Sequence, residues 1–283
     1  MLSNDQRLEI ESACRAGGYL PADVVARIVT AGVPLEQLML DLIPMAKTFA
    51  IPPISNFYVG AVSHGLSGSL YLGANFEFPG QALTCSVHGE QAATVNAIAH
   101  GETGINLLAV SAAPCGYCRQ FLNELTTATQ LQIIVPNAPT TPLTTLLPNA
   151  FGPADLGITA ALMSPQSNGL TLPDPIDDVT NAALRAANTS YAPYSLSYAG
   201  VALKTSDGSI YIGSVAENAA FNPSMSPLEA AVVTLTINGG KKYGDIVDAV
   251  LVEATASKAS QISATRDVLV TMTDVPLRVY EAK

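Results

Sequence analysis

Hydrophobic positions along the chain change their period near residue 50. Before it they recur at helical spacing. Leu8, Ile10 and Cys14 form one run that stops at Gly17-Gly18, Val24, Val25, Ile28 and Val29 follow Pro21, and Leu38, Leu40 and Leu42 follow Pro34. Proline suits the start of a helix, where its missing N–H would have no intrahelical partner. A small helical subdomain is therefore predicted over 1–48. From Pro52, short β-rich runs alternate with glycine turns, NFYVGAVSHG and then GSLYLGANFEF. An alanine-rich helix is predicted from about His88 to His100, followed by an apolar strand, NLLAVSAA, and a second helix in PCGYCRQFLNEL. Strand, helix, strand, helix implies an α/β layer architecture. Prolines concentrate between 136 and 180 and mark a connecting segment.

The β-rich pattern occurs twice. GSLYLG from Gly68 returns as GSIYIG from Gly208, and Ser55, Gly60 and Glu77 return as Ser195, Gly200 and Glu217, all 140 positions apart. Self-similarity in one register over about 100 residues indicates a duplicated domain. The expected organisation is a catalytic copy over 49–150, a proline-rich connection over 151–186 and a second copy over 187–283. The copies then diverge. Glu90 aligns with Glu229 at 139 positions, Pro227 falls at the place of His88, and no cysteine follows Gly200. Metal chemistry is expected of the first copy alone.

Charge narrows the choice of partners. Thirteen Lys and Arg against twenty-three Asp and Glu give a net charge of -10. A phosphate backbone must be met by clustered basic residues, and the chain has no basic run, so nucleic acid is excluded as a partner. Glu36, Asp41 and Lys47 interrupt the most apolar early region before it reaches the roughly 18 residues of a membrane span, so no membrane partner is expected. No basic segment followed by an apolar one opens the chain, and a cytoplasmic location is expected. Four cysteines, at 14, 85, 115 and 118, are too few and too uneven for a secreted disulfide framework.

Cys115 and Cys118 stand three apart at a predicted helix start, so both sulfurs can face one ion and both gain from the helix dipole. A lone CxxC also fits a redox pair, half a structural zinc site or coincidence. His88, opening the other helix, adds a third donor and leaves one corner of a tetrahedral zinc open, as a catalytic site requires. Glu90, two residues on, is a proton carrier and not a fourth ligand. His64, placed in a hairpin turn, and His100, closing a helix, read as structural, and Cys14 and Cys85 as buried thiols. Arg119 is placed to hydrogen-bond a thiolate.

H-x-E followed by P-C-x-x-C is the zinc deaminase signature. With ANFEF at 74–78, HGEQ at 88–91, SAAPCGYCRQFLNEL at 111–125, FGPADL at 151–156 and SYAPYS at 190–195, the chain resembles the two-domain, homodimeric kind of cytidine deaminase over nearly its whole length. The resemblance implies a three-layer α-β-α core present twice, and one Zn²⁺ per chain on His88, Cys115 and Cys118. It implies conversion of the nucleosides cytidine and 2′-deoxycytidine to uridine and 2′-deoxyuridine, with Glu90 protonating N3 and helping ammonia leave. Asn75 and Glu77 match a ribose-binding pair, Phe57 an aromatic that packs on the pyrimidine, and Phe151 a residue that reaches the partner's active site in a homodimer. Gly89 stands where close relatives usually have alanine, and its backbone N–H is available to the base carbonyl. Two other readings compete: a nucleotide or RNA-base substrate, disfavoured because Arg119 is the single Lys or Arg in 52–125, and a structural zinc module, which would need a fourth ligand such as Cys85.

Overall fold

The computed structural model describes residues 4–174, 176–255 and 257–283. The chain opens with helix α1 (Asn4–Gly17), strand β1 (Tyr19–Leu20), and helices α2 (Ala22–Thr30) and α3 (Leu35–Lys47). The first copy continues through β2 (Gly60–Gly65), β3 (Leu70–Ala74), α4 (Gly89–Ala99), β4 (Ile105–Val110), α5 (Gly116–Leu122), β5 (Gln132–Ile134), β6 (Thr141–Pro142) and α6 (Leu143–Leu146). The second runs α7 (Asp178–Asn188), β7 (Ala199–Thr205), β8 (Ile210–Ser214), α8 (Pro227–Val233), β9 (Ile246–Ala254), α9 (Ile262–Leu269) and β10 (Leu277–Ala282).

A six-stranded sheet, ordered β1-β3-β2-β4-β5-β6, and a four-stranded one, β10-β9-β7-β8, carry the two copies. Their hairpins pair in one register, Gly60 with Ala74 and Gly200 with Ser214. Both shift register at the same place, between His64 and Gly65 and between Lys204 and Thr205. The repeated glycines are points of close approach. A Cβ on Gly60 would lie 2.6 Å from the Ile43 carbonyl oxygen of α3, and one on Gly73 would lie 2.3 Å from Ala93 N of α4. Gly200 and Gly213 are pressed in the same way by α7 and α8. Each sheet is thus covered by a helix on both faces, and the three-layer α-β-α core is present twice.

The N-terminal helices form as expected and pack on the first sheet: α3 lies on β2, β3 and β4, and β1 adds an edge strand to the sheet. Two sequence expectations change. The proline-rich span is not all connection, because the Asp177 side chain accepts from Thr180 N at 2.8 Å and caps α7 inside it. His64 lies within β2, paired with Leu70 and Leu107, and its Nδ1 is 2.6 Å from Asn106 Oδ1. The β-bulge that follows it, and not the histidine, turns the strand. Among the described residues no helix is long and apolar enough to cross a membrane.

Candidate active site

Helices α4 and α5 begin at the same end of the first sheet, and their N-caps are His88 and Cys115. Cys118, one turn into α5, sends its backbone N–H to Cys115 Sγ at 3.5 Å. His88 Nδ1 lies 3.5 Å from Cys115 Sγ and 3.3 Å from Cys118 Sγ, and the two sulfurs are 3.6 Å apart. Tetrahedral zinc, with bonds of about 2.3 Å to sulfur and about 2.0 Å to nitrogen, sets sulfurs about 3.8 Å apart and sulfur from nitrogen about 3.5 Å. The donor set fits that ion without rearrangement. Among the described residues no fourth His, Cys, Asp or Glu joins the group. Cys85 is half-buried in a single 3-10 turn (Leu83–Cys85) outside it.

The sulfur–sulfur hydrogen bond holds the Cys115 pKa down to about 5, and the same contact together with burial pushes the Cys118 thiol up. A divalent cation would displace the thiol protons, because sulfur binds metal as thiolate. Arg119 is not their donor: its Nε and Nη1 bond the carbonyl oxygens of Pro114 and Leu146, both at 2.8 Å.

A cavity of about 290 Å³ opens beside the cluster, lined among others by Glu90, Asn75, Glu77, Phe57, Val59 and Gly89. Glu90 is buried, and desolvation pushes its carboxyl above the usual carboxylate range. Asn75 and Glu77 lie just past β3 and serve the loop opposite. Asn75 Oδ1 accepts from Val59 N at 2.9 Å and its Nδ2 donates to the Phe57 carbonyl at 2.9 Å. Glu77 accepts from Ile54 N, Ser55 N and Ser55 Oγ. Partial burial pushes the Glu77 carboxyl up, but those three donors outweigh it and hold the group below the usual carboxylate range. Phe57 is thereby presented, 59% exposed, at the cavity mouth. At Gly89 a Cβ would meet Val59 Cγ1 at 2.9 Å. Phe151 is half-exposed and is not among the cavity-lining residues of its own chain; its carbonyl accepts from Gln120 and Asn123.

The second copy repeats the frame without the donors. Gly213 meets Ala231 as Gly73 meets Ala93, so α8 aligns with α4 at 138 positions and not 139. Ser226 then caps α8 where His88 caps α4, Pro227 replaces Gly89, Leu228 replaces Glu90, and Glu229 replaces Gln91. Pairing glutamate with glutamate along the sequence displaces the register of the second copy by one residue. The structural match pairs capping residues: Gln91 Oε1 accepts from His88 N at 3.1 Å and Glu229 accepts from Ser226 N at 2.8 Å.

Glu229 is buried, and desolvation pushes its carboxyl from 4.5 to about 7 against the opposing bonds from Ser226. Stability held by the protonated group below about pH 4.5 is lost as pH rises through about 7, since the unfolded chain releases that proton first. Glu229→Gln, which copies the first copy's own solution, is expected to remove this decline and to add on the order of 2–3 kcal/mol at pH 8. Urea unfolding at pH 5 and pH 8 measures it; an equal pH dependence in both proteins refutes it.

Two family models, each described as a cytidine and deoxycytidylate deaminase zinc-binding region, match residues 34–133 and 143–266. The curated cytidine deaminase of Vibrio cholerae is 45% identical over 251 residues, 88% of this chain and 84% of its own. That of Shewanella loihica is 46% identical over 253 residues, 89% of this chain and 85% of its own. The crystal structure of cytidine deaminase from Mycobacterium tuberculosis is 29% identical and aligns with 41% of this chain and 95% of that one, at a TM-score of 0.38.

Proposed function

The chain belongs to the cytidine and deoxycytidylate deaminase family, and from that premise we propose that its first copy carries out the reaction with His88, Cys115 and Cys118 as zinc ligands and Glu90 as proton carrier. The activity is zinc-dependent hydrolytic deamination of cytidine, giving uridine and ammonia. The ion, when bound, supplies Lewis-acid activation of a water, whose pKa it lowers toward about 7. The chain's own groups do the rest. Glu90 takes a proton from the attacking water and gives it to N3 as the water oxygen bonds to C4, then takes the remaining hydroxyl proton and gives it to the amino nitrogen, which leaves as ammonia when the C4–N bond breaks. The Gly89 N–H is available to the base carbonyl, and Asn75 and Glu77 hold the ribose hydroxyls while bracing the loop that carries Phe57. Phe57 packs on the pyrimidine face.

The substrate is a nucleoside, cytidine or 2′-deoxycytidine. Among the described residues, no lysine or arginine lines the cavity to meet a phosphate. The structural-zinc alternative needs a fourth protein ligand, and Cys85 lies outside the donor group. Phe151, half-exposed and not among the residues lining its own cavity, supports a homodimer in which it completes the partner's site. A cytoplasmic location fits this substrate.

The observation that carries the assignment is three donors at tetrahedral spacing beside a cavity that holds a buried glutamate. Purified protein incubated with cytidine is expected to release one ammonia per uridine formed; failure to turn over cytidine or deoxycytidine with zinc bound would overturn it.

A further inference from the structure

Glu124 lies two residues beyond α5, the helix that begins with Cys115 and contains Cys118, and only 1% of it is exposed. A carboxylate in such a place must find donors. All three come from the second copy: Tyr191 Oη at 2.7 Å, Tyr194 Oη, and Ala219 N at 3.0 Å. The first copy has Ile51 and Ile54 at the places of Tyr191 and Tyr194, so these hydroxyls do not belong to the shared frame. Asn218 adds a bond from its Nδ2 to the Gln120 carbonyl of α5 at 2.9 Å.

The loop fixed in this way, 218–223, reaches two residues that flank the metal ligands, Tyr117 and Gln91. The Asn222 carbonyl accepts from Tyr117 Oη at 2.9 Å, and the Pro223 carbonyl accepts from Gln91 Nε2 at 3.5 Å. Tyr117 stacks on the His88 ring, with centroids 5.3 Å apart and planes 28° from parallel. Gln91, at its other end, holds the His88 backbone N–H. Ring and backbone of the histidine are therefore both held by side chains that the second copy steadies.

We propose that Glu124 is a positioning residue for the metal site: it clamps the second copy's loop 218–223 to α5, and that loop sets Tyr117 and Gln91 against His88. The second copy is then a working part of the first copy's zinc site. This rests on zinc being held by His88, Cys115 and Cys118. Groups that orient a metal-bound histidine typically govern 10- to 100-fold in metal affinity.

The test is the rate of zinc release from the intact protein to a chromophoric chelator, together with the visible spectrum of the cobalt(II)-substituted form. Glu124→Gln is expected to release zinc about 10- to 100-fold faster and to shift the cobalt bands. Tyr117→Phe, which keeps the ring and loses only the hydroxyl, guards against a folding defect in the first variant. It is expected to release zinc severalfold faster at an unchanged melting temperature. A merely structural role for Glu124 would lower the melting temperature and leave both zinc readouts of Tyr117→Phe at wild type. Wild-type release rates and spectra in the folded variants overturn the proposal. A Cys118→Ala variant that still holds a full equivalent of zinc would instead overturn the ligand assignment beneath it.

Discussion

Glu90→Gln is expected to bind zinc at the wild-type ratio and to lose about 10² to 10⁴ in turnover, the usual worth of a positioned general acid–base. Gln keeps the volume and polarity of the side chain but cannot take up and return a proton. Zinc content should not change, because Glu90 lies outside the ligand group. The fold should not suffer either: replacing a buried carboxylate by an amide removes a desolvation cost. Cytidine binding should survive, since the loop that presents Phe57 hangs from Asn75 and Glu77 and not from Glu90. The measurement is steady-state deamination beside metal analysis on one preparation. Wild-type turnover in the variant removes Glu90 from the reaction.

Cys118→Ala is expected to abolish both zinc and activity while leaving the protein folded. Two donors cannot retain the ion against solvent as three can, and zinc should fall below about a tenth of an equivalent per chain. Survival of the fold has an internal precedent. The second copy builds the same hairpin, covering helices and register with Ser226, Pro227 and Leu228 in place of the site residues. Its core needs no metal, and that of the first copy is equally apolar, with Phe76, Phe121, Leu72 and Leu108 fully buried. Circular dichroism should therefore match wild type, and chelated wild-type protein should regain activity when zinc returns. An unfolded variant, or one that still binds a full equivalent, contradicts this.

Much of this was legible in the sequence because the signals were local. Cys115 and Cys118 announce a shared face by spacing alone, and the repeated glycines announce two hairpins. That His88 meets the cysteines depends on α4 and α5 starting at one end of a sheet, which no local spacing states. Three things stayed hidden for physical reasons. That α3 packs on the first sheet was not legible, because amphipathic spacing tells which face is buried but not against what. Leu228 was missed as the counterpart of Glu90 because the frame is conserved in capping geometry, not residue identity. Glu124 carries no local signal, since its partners Tyr191, Tyr194 and Ala219 lie 67 to 95 residues away. The tyrosines in SYAPYS were the available sign: phenols where the first copy has isoleucines.

X-ray absorption at the zinc edge of the wild-type protein, with metal content measured on the same sample, goes most directly to the centre of the matter. The expected result is one zinc per chain whose protein donors are two sulfurs at about 2.3 Å and one imidazole nitrogen at about 2.0 Å. A third sulfur, a second imidazole or a chain that takes up no zinc would contradict it.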